Sequence, residues 1–264
     1  VFPRSSSAGC VLLVRSLTHW GACETPVLEV SGQSAGYGAL RVLHDLDLRV
    51  NAGERIGLVG LNGHGKSTLL GAIAGITGWQ RGSILLNGVE IGGNRTHGPG
   101  RYTHRIVRQG LSLAPQGDAI FPGLTVRQNL DAGAYTSSTW RRRRILRAQV
   151  LEIFPPLGKL LDTPVGKLSG GERRMVSIGR ALMANVSLYL VDEPSLGLAP
   201  KISRSVVDAL MHIDLASGAM IIAEQDLGLL TGKVDRVLGM YAGELKGATS
   251  DGLLTLPSGQ SRPR

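Results

Sequence analysis

Aromatic residues, cysteines and long apolar runs are all scarce in this sequence. Tryptophan, tyrosine and phenylalanine together make up 4% of the 264 residues. The two cysteines, Cys10 and Cys23, are too few to form a framework of disulfides, so a reducing cytoplasm suits the chain best. No stretch approaches the ~18 consecutive apolar residues that a membrane-spanning helix requires. We therefore expect any association with a membrane to be peripheral.

The composition is that of a globular protein with many tight loops. Hydrophobic residues account for 42% and charged residues for 19%, and there are 37 glycines. A chain of this length can bury a sizeable core in one large α/β domain, or in a domain with a smaller inserted lobe. The formal net charge of +9 is compatible with nucleic acid, an anionic membrane surface or a phosphate-rich ligand, and it does not choose among these partners.

Short strands are predicted along the first half of the chain and again near its end. Alternating apolar and polar residues, or short apolar runs, indicate strands at residues 27–30, 46–50, 56–59, 83–86, 89–91, 111–114, 188–191, 219–223 and 237–240. A glycine-rich turn at 36–38 separates the first two, and Asn87-Gly88 joins two others in a hairpin, which predicts an antiparallel edge layer. The runs at 188–191 and 219–223 do not alternate, which is typical of parallel strands covered on both faces. Residues 237–240 are expected to close that sheet.

Helical patterns occupy residues 67–74 and most of residues 125–184, which predicts an inserted helical lobe at about 117–184. Residues 92–104 are rich in glycine, proline, arginine and histidine and are expected to form an exposed loop. The arginine run at 141–144 is read as a solvated helix face, with contact to acidic lipid head groups as the alternative. Residues 1–26 are interpreted as a disordered leader and residues 251–264 as a C-terminal tail.

The strongest chemical signal is a complete G-x-x-x-x-G-K-[ST] motif between a predicted strand and a predicted helix. Its glycines let consecutive backbone N–H groups wrap a phosphate, and the helix adds the positive end of its dipole. Lys66 can reach the β- and γ-phosphates, and Ser67 can ligate Mg²⁺. The predicted nucleotide-binding residues are Gly60, Leu61, Asn62, Gly63, His64, Gly65, Lys66, Ser67 and Thr68. We assign no separate role to the His64 side chain.

An acidic strand end complements this P-loop. The strand at 188–191 would deliver Asp192 beside the metal, and Glu193 follows directly. Because adjacent side chains leaving a strand point in opposite directions, Asp192 can orient the Mg²⁺ shell while Glu193 polarises the attacking water as general base. Alone, this Asp-Glu pair would be an ordinary strand terminus. Together with the P-loop it indicates a catalytic pair.

Residues 168–172 read Leu-Ser-Gly-Gly-Glu and precede an amphipathic helix. Ser169 and Glu172 predict a capping box. Gly170 and Gly171 leave bare N–H groups at the helix start, which form an anion site. Because the P-loop already serves the chain's own nucleotide, we expect Ser169, Gly170 and Gly171 to contact a phosphate presented by another subunit. One face of the helix carries Met175, Ile178 and Leu182.

In this order, the P-loop, residues 168–172 and the Asp192-Glu193 pair resemble the ATPases of the ATP-binding cassette (ABC) family, over about residues 27–250. The resemblance implies an α/β P-loop NTPase fold, with a RecA-like core, an antiparallel β edge layer and an inserted helical subdomain. It implies ATP and Mg²⁺ as ligands and ATP hydrolysis by a head-to-tail dimer. It also places Tyr37 where an aromatic stacks on adenine, and Gln116 where a glutamine touches Mg²⁺ and the attacking water.

Two departures from the family pattern narrow the resemblance. Gln225 stands where the family usually has a histidine that contacts the γ-phosphate, and Ala199 stands where many members carry an aspartate. With the phrase at residues 192–200, both variants resemble one of the two ATPase subunits of importers of branched-chain amino acids, or of their urea and amide relatives. The two departures put the rate of hydrolysis at this chain's own site in doubt, but not nucleotide binding.

This narrower resemblance implies partners and a location. The chain would be the motor subunit of an ABC transporter on the cytoplasmic face of the inner (plasma) membrane. Its partners would be a second ATPase subunit, identical or different, and transmembrane permease subunits, with a solute-binding protein acting indirectly. Phe121 and Leu124 are either contacts for a short helix of the membrane subunit or part of the lobe core.

Two other functions compete. A soluble ABC ATPase acting on nucleic acid is supported only by the basic charge and the arginine run, and such relatives usually carry a coiled-coil insertion or two cassettes. This sequence shows neither heptads nor a second cassette. A GTPase would need an Asn-Lys-x-Asp motif to read guanine, which the sequence lacks, and it would leave residues 168–172 unexplained.

Overall fold

The computed structural model describes residues 26–93 and 103–247. The expected leader and C-terminal tail, and most of the expected loop at 92–104, lie outside the described residues. At the end of that loop the structure differs from the expectation, because Thr103 and His104 begin a helix.

Ten strands and six α-helices lie within the described part of the chain. The strands are β1 Leu28–Tyr37, β2 Leu40–Val50, β3 Arg55–Val59, β4 Trp79–Leu86, β5 Val89–Gly92, β6 Leu111–Ala114, β7 Leu188–Asp192, β8 Ala219–Glu224, β9 Arg236–Tyr241 and β10 Glu244–Gly247. The helices are α1 Lys66–Ile73, α2 Thr103–Arg108, α3 Val126–Gly133, α4 Ser137–Ile153, α5 Gly170–Leu182 and α6 Pro200–Met211. No helix in these segments combines the length and the apolar character needed to cross a lipid bilayer.

The predicted antiparallel edge layer is a four-stranded sheet with the order β2-β1-β4-β5. Its Asn-Gly hairpin is confirmed, since Asn87 and Gly88 both have positive φ, as the favoured two-residue hairpin turn requires. The turn expected at 36–38 lies later, because Gly36 is still in β1. A Cβ on Gly36 would lie 2.0 Å from the Leu40 carbonyl oxygen, so this glycine serves close strand packing.

The main sheet has the order β10-β9-β3-β8-β7-β6. All of its strands except β10 run parallel to their neighbours. The parallel pairing predicted from the apolar runs is therefore confirmed. The expectation that residues 237–240 close the sheet is wrong, because β10 folds back antiparallel and forms the edge. Ala242 and Gly243, with φ of 46° and 80°, make the tight turn that reverses the chain.

The parallel strands separate two cores. In β7, Leu188 and Leu190 pack with the edge sheet and α1, whereas Tyr189 and Val191 pack with the helical lobe and α6. Successive side chains point to opposite faces, so a fully apolar strand contributes to both cores. The sheet is thereby fixed from both sides, and the loops at its carboxyl edge are held in place.

The mostly helical reading of residues 125–184 is confirmed by α3, α4 and α5. The apolar face predicted for α5 is buried, with Met175, Ile178 and Leu182 between 0% and 8% exposed. Capping boxes at Thr125, Thr136 and Ser169 begin the three helices and satisfy backbone donors of their first turns.

Candidate functional site

The glycine loop between β3 and α1 is shaped by positions that exclude a side chain. Gly63 and Gly65 have φ of 79° and 106°, which glycine adopts most readily. A Cβ on Gly60 would lie 2.4 Å from the Met240 carbonyl oxygen. The backbone can therefore form a tight loop at the N-terminus of α1, which is the arrangement that binds phosphate.

The turn between β9 and β10 supports this loop. The Gly243 N–H donates to the His64 carbonyl oxygen at 3.0 Å. The His64 ring lies edge-on to the Tyr241 ring with 4.9 Å between centroids, and its Nδ1 is 3.3 Å from the Met240 carbonyl oxygen. The His64 side chain thus has a structural role in anchoring the loop, which sequence reasoning did not assign.

Lys66 points back into the loop. Its Nζ donates to the carbonyl oxygens of Gly60 at 2.7 Å and Leu61 at 3.2 Å, and it lies 3.2 Å from Glu193 Oε1. Both side chains of this ion pair are 3% exposed. A buried cation is therefore held at the mouth of the loop by a carboxylate that follows β7.

Glu193 is the centre of a polar cluster. Its Oε2 accepts from Gln116 Nε2 at 2.9 Å and from Gln225 Nε2 at 3.3 Å. The three residues follow the adjacent strands β6, β7 and β8, and Lys66 completes the group. Glu193 also has φ of 44°, a left-handed conformation that is costly for a residue with a Cβ. Strained backbone of this kind concentrates at functional sites.

Asp192 lies on the other side of the strand end. Burial raises the pKa of its carboxyl group, and a hydrogen bond from Ser67 opposes that shift. Its Oδ1 is buried and has no hydrogen-bond partner among the described residues. A buried carboxylate oxygen without a partner, on a residue that also accepts a hydrogen bond from the Ser67 hydroxyl, is the kind of oxygen donor that Mg²⁺ prefers. The residues present therefore fit a magnesium ion.

Two buried charged residues of the site were missed by sequence reasoning. Glu224 accepts from the backbone N–H and hydroxyl of Ser195 at 2.9 and 2.8 Å and from the Gln225 N–H at 3.3 Å. Burial raises the pKa of its carboxyl group, which these hydrogen bonds partly offset. Arg174 is 3% exposed, and burial lowers the pKa of its guanidinium group. The only sequence signals were a charged residue at the end of an apolar strand and another beside the apolar face of α5.

A cleft of about 310 Å³ opens beside Glu193. Its walls include Ser195, Leu196, Glu224 and Gln225, so it adjoins the cluster on the side of β8. Glu193 itself is one of the residues that line the cleft.

The sequence of this chain matches those of known ATP-binding proteins. A family model described as ABC transporter matches residues 43–196. The chain belongs to the ABC transporter family. The high-affinity branched-chain amino acid transport ATP-binding protein BraG of Pseudomonas aeruginosa is 34% identical over 225 residues, which are 85% of this chain and 93% of BraG. The chain therefore binds and hydrolyses ATP as a transporter ATPase, as the sequence predicted.

Two further comparisons extend this result. The probable branched-chain amino acid transport ATP-binding protein LivF of Archaeoglobus fulgidus is 34% identical over 195 residues, 74% of this chain and 79% of LivF. A solved structure of an ATP-binding subunit of an ABC transporter has 27% identity and a TM-score of 0.68, over 85% of this chain and 90% of that one. The predicted resemblance to branched-chain amino acid ATPases is thus confirmed. Other relatives are named for import of Fe(3+) ions or phosphonates.

In this ABC ATPase, residues 169–171 lie at the start of α5. Ser169 and Gly170 are exposed, and the predicted capping box is confirmed, with Glu172 Oε2 accepting from the Ser169 N–H at 2.8 Å. Among the described residues, no hydrogen bond or ion pair links residues 169–171 to the glycine loop. The start of this helix is therefore exposed at Ser169 and Gly170.

Three other positions that the sequence singled out lie at the end of β1, before α6 and in α1. Tyr37 ends β1 and is 48% exposed, so its ring is accessible to a planar ligand. Ala199 is the residue before α6 and offers no side-chain cap, as its identity dictates. Thr68 is buried in the first turn of α1.

The alternative that Phe121 and Leu124 belong to the lobe core is wrong, since they are 50% and 39% exposed. The Arg180 guanidinium lies 4.9 Å from the centre of the Phe121 ring, which steadies the ring at the surface. Trp140, also half-exposed, carries Arg143 over its ring at 4.2 Å. The lobe therefore presents aromatic surface flanked by arginines.

Proposed function

We propose that the chain is the motor subunit of an importer of branched-chain amino acids or related small amides. The names and coverage of BraG and LivF support this solute class. We further propose that it acts at the cytoplasmic face of the inner membrane, bound to permease subunits that a solute-binding protein serves. The exposed rings of Phe121 and Trp140 on the lobe suit contact with such a subunit.

The observation that carries the proposed chemistry is the cluster of Lys66, Gln116 and Gln225 around Glu193. Lys66 supplies a buried positive charge for the β- and γ-phosphates of ATP. Glu193 acts as general base on the attacking water, and Gln116 and Gln225 orient its carboxylate. Tyr37 would stack on adenine.

Ser67, Gln116 and Asp192 would hold Mg²⁺, which neutralises charge on the phosphates when it is bound. The donor set described above supports this assignment. The glycine loop from Gly60 to Thr68 would cradle the phosphates with its backbone N–H groups.

We also propose a head-to-tail dimer in which Ser169, Gly170 and Gly171 contact the ATP of the partner subunit. The exposure of Ser169 and Gly170 supports this arrangement, as does the anion-binding character of a helix N-terminus such as the start of α5. The dimer would close on ATP and open after hydrolysis.

Calorimetry on Lys66→Ala tests the nucleotide site. A methyl group cannot offset the charge of the phosphates, so most ATP affinity should be lost, whereas the exposed variant Lys167→Ala should bind like the wild type. Unchanged binding by Lys66→Ala would refute the assignment of the P-loop.

The solute is tested with the chain and the membrane subunits that co-purify with it, reconstituted in vesicles. We expect a binding protein loaded with leucine to stimulate ATP hydrolysis, and one loaded with Fe(3+) or phosphonate to have no effect. Stimulation by either of the latter would assign the chain to another importer class. Co-purification with nucleic acid instead of membranes would revive the rival function, which none of these comparisons supports.

A further inference from the structure

Arg174 is a buried cation near the start of α5 whose hydrogen bonds all go to backbone carbonyl groups. Its Nη1 donates to the carbonyl oxygens of Pro115 at 2.7 Å and Gly117 at 2.6 Å. Its Nη2 donates to the Asp192 carbonyl oxygen at 2.5 Å, and its Nε donates to the Pro194 carbonyl oxygen at 3.3 Å. Four carbonyl groups from two separate loops thus share one guanidinium group.

These four acceptors form two pairs, and each pair brackets a candidate catalytic residue. Pro115 and Gly117 lie on either side of Gln116, and Asp192 and Pro194 lie on either side of Glu193. The bracketed side chains are themselves hydrogen-bonded, with Gln116 Nε2 2.9 Å from Glu193 Oε2. One side chain therefore fixes the backbone around both members of a contacting pair.

The hydrogen bonds from Arg174 to Asp192 and Pro194 hold the backbone at Glu193, which has a strained conformation. Glu193 has φ of 44°, and a residue with a Cβ persists in this region only where its surroundings over-determine it. Charge-assisted hydrogen bonds are about twice as strong as neutral ones, and the guanidinium group offers them in a rigid planar fork. A lysine has one nitrogen and cannot span two loops in this way.

We propose that Arg174 is a positioning residue that fixes the backbone at Gln116 and at Glu193 relative to helix α5. The inference rests on the proposed function, in which Gln116 and Glu193 act on the attacking water. The residues proposed to contact the partner's ATP, Ser169 to Gly171, begin the same helix. Movement of α5 on that contact would be passed to both catalytic loops through one side chain.

The test compares Arg174→Gln and Arg174→Lys with the wild-type chain. We expect Arg174→Gln to lower kcat about tenfold or more while the Kd for ATP, measured without Mg²⁺, changes less than twofold, because the P-loop is untouched. Arg174→Lys should fall between the two. The control is Arg147→Gln, which removes an arginine that is 13% exposed and paired with Asp131 in the helical lobe, and which should keep the wild-type kcat.

A second measurement separates positioning from a merely structural role. In the Glu193→Gln background, Arg174→Gln should lower the single-turnover rate less than twofold, because there is no longer a base to position. A full tenfold loss in that background would overturn the proposal. So would an unchanged kcat in Arg174→Gln, or a loss of kcat matched by an equal loss of ATP affinity.

Circular dichroism and thermal melting establish that each variant is folded. If Arg174→Gln does not fold, Arg174→Lys decides, since it keeps the buried charge: we expect a lower kcat with a Kd for ATP that changes less than twofold, and an unchanged kcat would overturn the proposal. A wild-type chain that neither binds nor hydrolyses ATP would refute the proposed function itself. If the wild type hydrolyses ATP but folded Arg174 variants do so equally fast, only the inference about Arg174 is refuted.

Discussion

The buried ion pair between Lys66 and Glu193 makes a prediction about the stability of the nucleotide-free protein. The pair is separated by 3.2 Å, and both side chains are 3% exposed. Two charges at this separation interact by about 5 kcal/mol at an effective dielectric constant of about 20, and desolvation offsets much of that. Removing one partner alone leaves the other charge buried without compensation, which typically costs about 3–5 kcal/mol.

We therefore expect Lys66→Met to lower the free energy of unfolding by about 3 kcal/mol. The lower end of the range applies because Gln116 and Gln225 still donate to Glu193 Oε2. The double variant Lys66→Met/Glu193→Gln removes both charges and should be more stable than Lys66→Met alone. The two substitutions should thus be non-additive by about 2 kcal/mol or more.

Urea unfolding without nucleotide, followed by circular dichroism, measures this coupling. The control is a double-mutant cycle of Arg127→Met and Asp162→Asn. That pair is also in contact, at 3.0 Å, but its side chains are 39% and 81% exposed. An exposed pair should give a coupling of about 1 kcal/mol or less. Additivity within about 0.5 kcal/mol at Lys66 and Glu193 would show that the buried pair does not act as we infer.

Three further predictions concern the acidic and amide groups of the cluster. Glu193→Gln should keep ATP binding and slow turnover by about 10² or more, as single-turnover hydrolysis would show; a wild-type rate would exclude Glu193 as the base. Gln225→His should raise kcat, because a cationic imidazole can donate a charge-assisted hydrogen bond, and Gln225→Asn is the control that keeps a neutral amide. Burial raises the pKa of Glu224 above its ordinary value of 4.5, so between the pKa values of the unfolded and folded states the folded chain binds more protons than the unfolded chain. The free energy of unfolding therefore falls as the pH rises through this range. The stability of Glu224→Gln relative to wild type should therefore increase between pH 4.5 and 7, and a constant difference in urea unfolding would contradict this.

The elements that sequence patterns predicted are those whose signals are local. An Asn-Gly pair between alternating residues needs no distant partner to form a hairpin, and a glycine loop between an apolar run and a helix defines its own geometry. The unalternating runs at β7 and β8 predicted burial on both faces for the same reason. These predictions depend on residues within about ten positions of each other.

The elements that were missed or misplaced depend on distant contacts. β10 has the sequence Glu-Leu-Lys-Gly, which carries little strand pattern, and it exists because the turn at Ala242 and Gly243 returns it to β9. Gly36 was read as a turn, although its lack of a side chain serves the approach of Leu40. Phe121 is apolar yet exposed, and its ring packs under Arg180 instead of in the core. In each case the partner that decides the outcome cannot be identified from the local pattern.

The cluster around Glu193 combines residues that sequence motifs identify with contacts that only the structure shows. Gln116, Glu193 and Gln225 follow β6, β7 and β8, and neighbouring strands lie about 4.8 Å apart, so the adjacency of these strands brings the three side chains into contact. The motifs identified the residues, but the order of the strands is not written in any one of them. Arg174 is harder still to predict, because all of its acceptors are backbone carbonyl groups, which nearly every position offers. A residue that positions others through the backbone therefore leaves no pairing pattern in the sequence, and only the structure identifies it.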